Sequence, residues 1–155
     1  MKTLIIYFSR TDTTRKVSEA LAGKLKADIA RITEPTNRNG AIGYIRSGKE
    51  ASFRQLPKID PIKADPTKYD LVIIGTPVWA FTMSSPIRSF LTPNTLRKVA
   101  FFCTMNGSGA RRTFKDMQAL AGEPIAKASF LTKDVHKGNY SIDEFIEAIK
   151  SENFL

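Results

Sequence analysis

The 155-residue sequence predicts an α/β fold, a doubly wound parallel sheet of five strands with helices on both faces, and three observations predict it. Near-continuous apolar, β-branched runs recur along the chain, as expected of parallel strands covered on both sides. Stretches with apolar residues at helical spacing separate those runs. Strand and helix alternate four times, with no internal repeat or low-complexity tract.

The first strand is "TLIIYF", Thr3 to Phe8. The helix after it carries Val17, Ala20, Leu21 and Leu25 as a stripe toward the sheet, and Asp12 or Thr11 is placed to cap its first turn. A weaker second strand falls around Ala27 to Ile32. A shorter, glycine-spotted helix with Ile42 and Ile45 follows, then "LPKIDPIKADP", whose three prolines read as an irregular crossing. The third strand, "YDLVIIG" from Tyr69 to Gly75, is the best central candidate. A brief helix past Pro86 holds Ile87, Phe90 and Leu91. The fourth strand is "VAFFCT", Val99 to Thr104, and its helix runs from about Ala110 with Phe114, Met117 and Leu120 until Gly122 and Pro124 stop it. The fifth strand lies near Ile125 to Leu131. The last helix opens at "SIDE", where Ser141 and Glu144 have capping-box spacing and Ile142, Phe145, Ile146 and Ile149 form the buried stripe.

Composition narrows the function classes. Hydrophobic residues are 42% and charged residues 25%, which is globular usage, and one domain spanning 1–155 is expected because no linker divides the chain. One cysteine excludes an internal disulfide framework, and one histidine argues against a zinc cluster. Cys103, inside "VAFFCTM", reads as buried apolar filler. The opening apolar run is too short for a secretory core and no run approaches the ~20 residues that cross a bilayer, so a cytoplasmic location without membrane partners is expected. The net charge of +9 raises nucleic acid as a partner, but the positives are mixed with acids and form no basic tail. Between Arg97 and Lys137 stand eight Lys/Arg against three Asp/Glu, a basic face for an acidic partner or a solvated surface.

In a sheet of this class, ligands sit outside the carboxyl ends of the strands where strand order reverses. Three loops stand there. "SRTDTT", Ser9 to Thr14, offers hydroxyls and free N–H groups at a helix start, which suits a phosphate and equally suits a plain helix cap. It lacks the glycine-rich fingerprint of a dinucleotide or ATP loop. "GTPVWAFTMSSP" carries the only tryptophan between two stiffening prolines, and Thr76, Trp79 and Phe81 there suit a planar polar heterocycle. "TMNGSG", Thr104 to Gly109, lets the backbone turn or pass close to a ring. Together they fit a mononucleotide laid along one rim. His136, a lone histidine near lysines after the fifth strand, reads as a surface residue.

On these residues the chain resembles the flavodoxin-like proteins, which bind flavin mononucleotide (FMN), along essentially its whole length. "KYDLVIIGTPVWAFTMSSPIRSFL" is similar to the family's third strand and first flavin loop, "LIIYFSRTDTTRKVSEALA" to its first strand and phosphate loop, and "AFFCTMNGSG" to its fourth strand and second flavin loop. "GAIGYIRSGKEA" resembles the segment between strands two and three. The resemblance implies strand order 2-1-3-4-5. It implies that Ser9, Thr11, Thr13 and Thr14 hold the phosphate, with Arg10 as an extra cation. Thr76, Pro77, Val78, Trp79, Ala80 and Phe81 would lie beside the flavin ring, Trp79 stacking on it. Thr104, Met105, Asn106, Gly107, Ser108 and Gly109 would close the other side. The chain departs from the family at Asp12, which stands where a glycine belongs and would repel a phosphate unless it turned toward Arg15. It also lacks a tyrosine in the second flavin loop, which leaves that side open.

The implied function is electron transfer through FMN to or from a redox protein, one with an acidic docking face because this chain is basic. An NAD(P)H-dependent FMN or quinone reductase is the alternative, with no acid–base pair required. A flavin-free scaffold that binds an acidic partner through its basic face is the third reading, resting on Asp12.

Overall fold

The computed structural model describes residues 1–152. Among these are six strands and six α-helices, with a short 3-10 turn at Pro66–Lys68: β1 Thr3–Tyr7, α1 Thr13–Leu25, β2 Asp28–Arg31, α2 Gly40–Ser52, β3 Leu71–Trp79, β4 Thr82–Met83, α3 Ser85–Leu91, β5 Val99–Met105, α4 Ala110–Ala121, β6 Lys127–Leu131, α5 Thr132–Lys137 and α6 Asp143–Glu152. Five strands form a parallel sheet in the order β2-β1-β3-β5-β6, which is the expected 2-1-3-4-5 order once the short β4 is counted. Strand order reverses between β1 and β3, and the C-terminal ends of β1, β3 and β5 lie side by side, Tyr7 opposite Gly75 and Gly75 opposite Phe102.

Alternation along the strands divides the core into two layers. Leu4, Ile6, Val72, Ile74, Phe101 and Cys103 face Met83, Ile87, Phe90, Phe114 and Met117 on one side. Ile5, Leu71, Ile73, Ala100 and Phe102 face Val17, Leu21, Val135, Phe145 and Ile149 on the other. Covered on both faces, β1, β3 and β5 have no polar alternation to show, which is why they read as apolar runs. Cys103 is fully buried and burial pushes its thiol up to about 12, so it packs as a small hydrophobe. Among the described residues, no helix is long and apolar enough to cross a membrane.

Several local expectations are corrected. β3 does not stop at Gly75 but runs to Trp79, because Pro77 still pairs with Thr104 of β5 while β4 folds back antiparallel, Val78 opposite Met83 and Trp79 opposite Thr82. The two turn residues, Ala80 and Phe81, have φ of 49° and 64°, the left-handed geometry of a primed hairpin turn without the glycine or asparagine that normally signals it. α2 is not shorter than α1; both have 13 residues. α5 is an extra helix. Asp12 holds the N-cap position of α1 but makes no cap bond; the Arg15 N–H donates instead to Ser9 Oγ at 3.2 Å. Ser141 accepts from the Asp143 N–H at 3.2 Å, and Glu144 does not complete the capping box.

Candidate functional site

The three loops converge on a cavity of about 340 Å³ at the C-terminal edge of the sheet. From the first loop Ser9, Arg10, Thr11, Thr13 and Thr14 line it; from the second Pro77, Val78, Trp79 and Ala80; from the third Thr104, Met105 and Asn106. The remaining predicted residues lie outside its wall. Thr76 is fully buried, accepting from the Ser84 N–H at 3.0 Å and so fixing the start of α3. Phe81 is exposed at the hairpin tip, and Gly107 and Ser108 are exposed on the outer rim. Gly109 has φ of 108°, and a Cβ there would meet Val78 Cγ1 at 2.8 Å, so the third loop packs on the hairpin only because this residue is glycine.

The first loop gathers hydroxyls and helix-start N–H groups at the cavity. The Ser9 hydroxyl oxygen accepts from Arg15 N–H, and the Thr14 and Thr104 hydroxyls bond each other at 2.8 Å. Thr13 Oγ1 lies 2.9 Å from Nε2 of His136, an exposed residue of α5 that is tied to this loop. Among the described residues the Thr13 and Thr14 N–H groups have no acceptor in the chain, as at any helix start. Asp12 takes φ of 67°, a left-handed backbone that favours glycine, and its carboxylate turns to Arg15 at 3.0 Å with Arg31 4.0 Å away. The bond from Arg15 holds that carboxyl below its ordinary value. Asp12 is absent from the cavity wall.

Sequence reasoning assigned to the site none of the α2 residues that wall it, Tyr44, Ile45, Ser47, Gly48, Lys49 and Ser52, nor Thr132. The signal was the row of small residues, Gly43, Ser47 and Ala51, one helical turn apart. All three are buried, and a Cβ on Gly43 would sit 2.0 Å from the Arg38 carbonyl oxygen. With the small face inward, Ile42 points out and Ile45 stands at the open rim of the cavity, 83% and 68% exposed. Arg10 anchors the start of this helix, donating from Nε to the Arg38 carbonyl at 2.9 Å and from a terminal nitrogen to the Gly40 carbonyl at 3.0 Å. It is therefore a clasp as well as a cation.

Trp79 is half-buried, its ring 5.4 Å from Phe8 edge-on and 5.0 Å beneath the Arg38 guanidinium. Arg38 is itself buried between Glu34 and Glu50. Cation, glutamates and indole thus fix one another at the base of α2. Two cations, Arg10 and Lys49, line the cavity, and among the described residues no carboxylate does. Among those residues, no three His, Cys, Asp or Glu side chains group as they would around a metal ion.

Known proteins bear on this arrangement. The family model described as flavodoxin matches residues 2–148. No curated protein matches significantly. Among solved structures, a flavoprotein from Lactobacillus acidophilus, in complex with FMN, is 24% identical with a TM-score of 0.71, over 88% of this chain and 97% of that one. A Bacteroides eggerthii protein classed among flavoproteins is 24% identical with a TM-score of 0.74, over 94% and 98%. Oxidised flavodoxin 2 from Bacillus cereus is 16% identical with a TM-score of 0.56, over 97% and 99%. These structural likenesses speak for the fold. The family match extends through all three rim loops and α2, and on it the chain belongs to the flavodoxin family.

Proposed function

We propose that this chain binds FMN in the cavity and carries electrons through it to or from a redox protein with an acidic docking face. The carrying observation is the wall itself: free N–H groups and hydroxyls at one end, an indole between, two cations and no carboxylate among the described residues. That set fits a phosphorylated aromatic ligand. When bound, the flavin would supply the redox chemistry, and the protein's part is to hold it and set the charge around it. Arg10 and Lys49 favour the negative charge gained on reduction, so a raised potential is expected.

The partner reading follows from α2. Its outward face carries Ile42 and Arg46, with Ile45 and Lys49 at the cavity rim and Phe53 and Arg54 just beyond, while its one acid, Glu50, is buried against Arg38 and Arg46. An apolar centre ringed only by cations suits an acidic protein. A second copy of this chain would set those cations against themselves in a two-fold contact. The reductase reading draws on Met105 and Asn106, which leave that wall without an aromatic cover; steady turnover with NADH or NADPH would establish it. A cytoplasmic location goes with either role.

The test is a fluorescence titration with FMN and with riboflavin. FMN is expected to bind at least tenfold more tightly, with quenched emission; equal affinity would remove the phosphate site, and no binding of either at micromolar flavin would remove the redox reading. Asp12→Gly is expected to change FMN affinity by less than about threefold, because an exposed carboxylate already paired with Arg15 adds little field at the cavity. A tenfold tightening in the same titration would mean that Asp12 opposes the phosphate after all.

A further inference from the structure

We propose that His136 is a positioning residue for the anion site, fixing the Thr13 hydroxyl so that its proton faces the cavity. The inference rests on the reading of that site as the phosphate end of FMN. Lys16 Nζ lies 3.3 Å from His136 Nδ1, and Thr13 Oγ1 lies 2.9 Å from Nε2. An ammonium carries only donors, so Nδ1 accepts, the ring proton sits on Nε2, and Nε2–H donates to Thr13 Oγ1. The opposite tautomer would set two donors face to face and turn Nε2 into an acceptor for the Thr13 proton. Lys16 thus selects the tautomer, and the tautomer decides where the Thr13 hydroxyl points.

With a lone pair of Oγ1 engaged by the ring, the hydroxyl keeps its own proton for another acceptor. Thr13 is buried, lines the cavity, and among the described residues its hydroxyl has no other partner. Phosphate oxygens only accept, so a hydroxyl committed as donor is worth more to them than one that also bonds elsewhere. Ser9 is prepared in the same way by Arg15 N–H. His136 is not a passing contact. α5 packs on α1, with Val135 seated in the core beside it and Gly138, at φ of 73°, ending the helix.

The experiment measures dissociation constants for FMN and riboflavin in the wild type, His136→Ala, His136→Gln and Thr13→Val, with His136→Ala also placed in the Thr13→Val background. His136→Ala is expected to weaken FMN about 5- to 15-fold, the loss of one oriented bond to a charged group. Riboflavin affinity should not move. His136→Gln, whose amide N–H can donate to the same oxygen, should recover FMN binding to within about twofold. In the Thr13→Val background the alanine should add nothing. Equal weakening of both flavins would reduce His136 to a structural contact, and unchanged FMN affinity would overturn the proposal. If the wild type itself did not prefer FMN, the phosphate reading would fall first. His136 is exposed, so loss of fold does not confuse the comparison.

Discussion

Arg38→Ala is expected to cost about 3–5 kcal/mol of stability, the range for removing one partner of a buried ion pair. Arg38 donates to both Glu34 oxygens, to both Glu50 oxygens at 2.9 and 3.1 Å, and to Ser47 Oγ at 3.2 Å. Its side chain and those of Glu34 and Glu50 are 4%, 5% and 9% exposed, so alanine strands Glu34 away from water and leaves Glu50 only the exposed Arg46 as a cation. Glu50 also accepts from Ser85 Oγ at 3.1 Å and joins α2 to α3, so the damage reaches the cavity wall and the cation over Trp79. For a domain of this size the melting temperature should drop by about 10 °C. Substituting Arg38→Met together with Glu34→Gln and Glu50→Gln should cost much less, because no buried charge is then orphaned.

Acid provides a second reading of the same cluster. Burial pushes the Glu50 carboxyl up, but the hydrogen bonds and charge of Arg38, aided by Ser85 and Arg46, outweigh it and leave it below the ordinary 4.5. A carboxyl depressed on folding adds stability that is fully present above its unfolded value and lost as pH falls through the folded one. Urea unfolding should therefore show the wild type weakening below about pH 4.5. In Arg38→Ala, Glu50 keeps the burial with only the exposed Arg46 as a cation, so acid relieves its penalty. The gap between the two proteins should narrow from pH 7 to pH 4; a constant gap would mean that Glu50 is not ionised against Arg38.

What the sequence revealed, and what it hid, follows from the range of each interaction. β1, β3 and β5 were legible because burial on both faces leaves an uninterrupted apolar run. The rim segments were legible because Ser9, Thr76 and Asn106 break those apolar runs abruptly. The hairpin was hidden: Ala80 and Phe81 adopt positive φ without the residues that usually permit it, so tertiary packing on Gly109 imposes the turn. α2 was half legible. Its period showed a helix, but Ile42 and Ile45 drew attention to the face that is exposed, while the small residues marked the buried one. The Arg38 cluster and the bond between Thr13 and His136, 123 positions apart, leave no local pattern to read.

Gly75→Ala is expected to destabilise the protein by about 2–3 kcal/mol, toward the upper end of overpacking costs. Gly75 pairs with Tyr7 on one side and Phe102 on the other, and the Phe102 ring lies across it. A Cβ there would sit 2.2 Å from Cζ and 2.5 Å from Cε1. The ring cannot simply swing clear, being fully buried and held edge-on by Phe130 and Phe145 with centroids 6.2 and 6.4 Å away. Either the ring moves and disturbs α6 through Phe145, or β3 shifts against β5. The second course would displace Pro77 and Trp79 two and four residues on, so FMN affinity discriminates between them. Phe102→Leu removes the obstructing atoms, and a double-mutant cycle should show Gly75→Ala costing at least 1 kcal/mol less in that background, within the usual range for residues in contact. Additive losses would mean that something other than the ring resists the methyl group. Recovered stability with unimpaired FMN binding would show that this glycine serves the packing of Phe102 and bears on the site only through the straightness of β3.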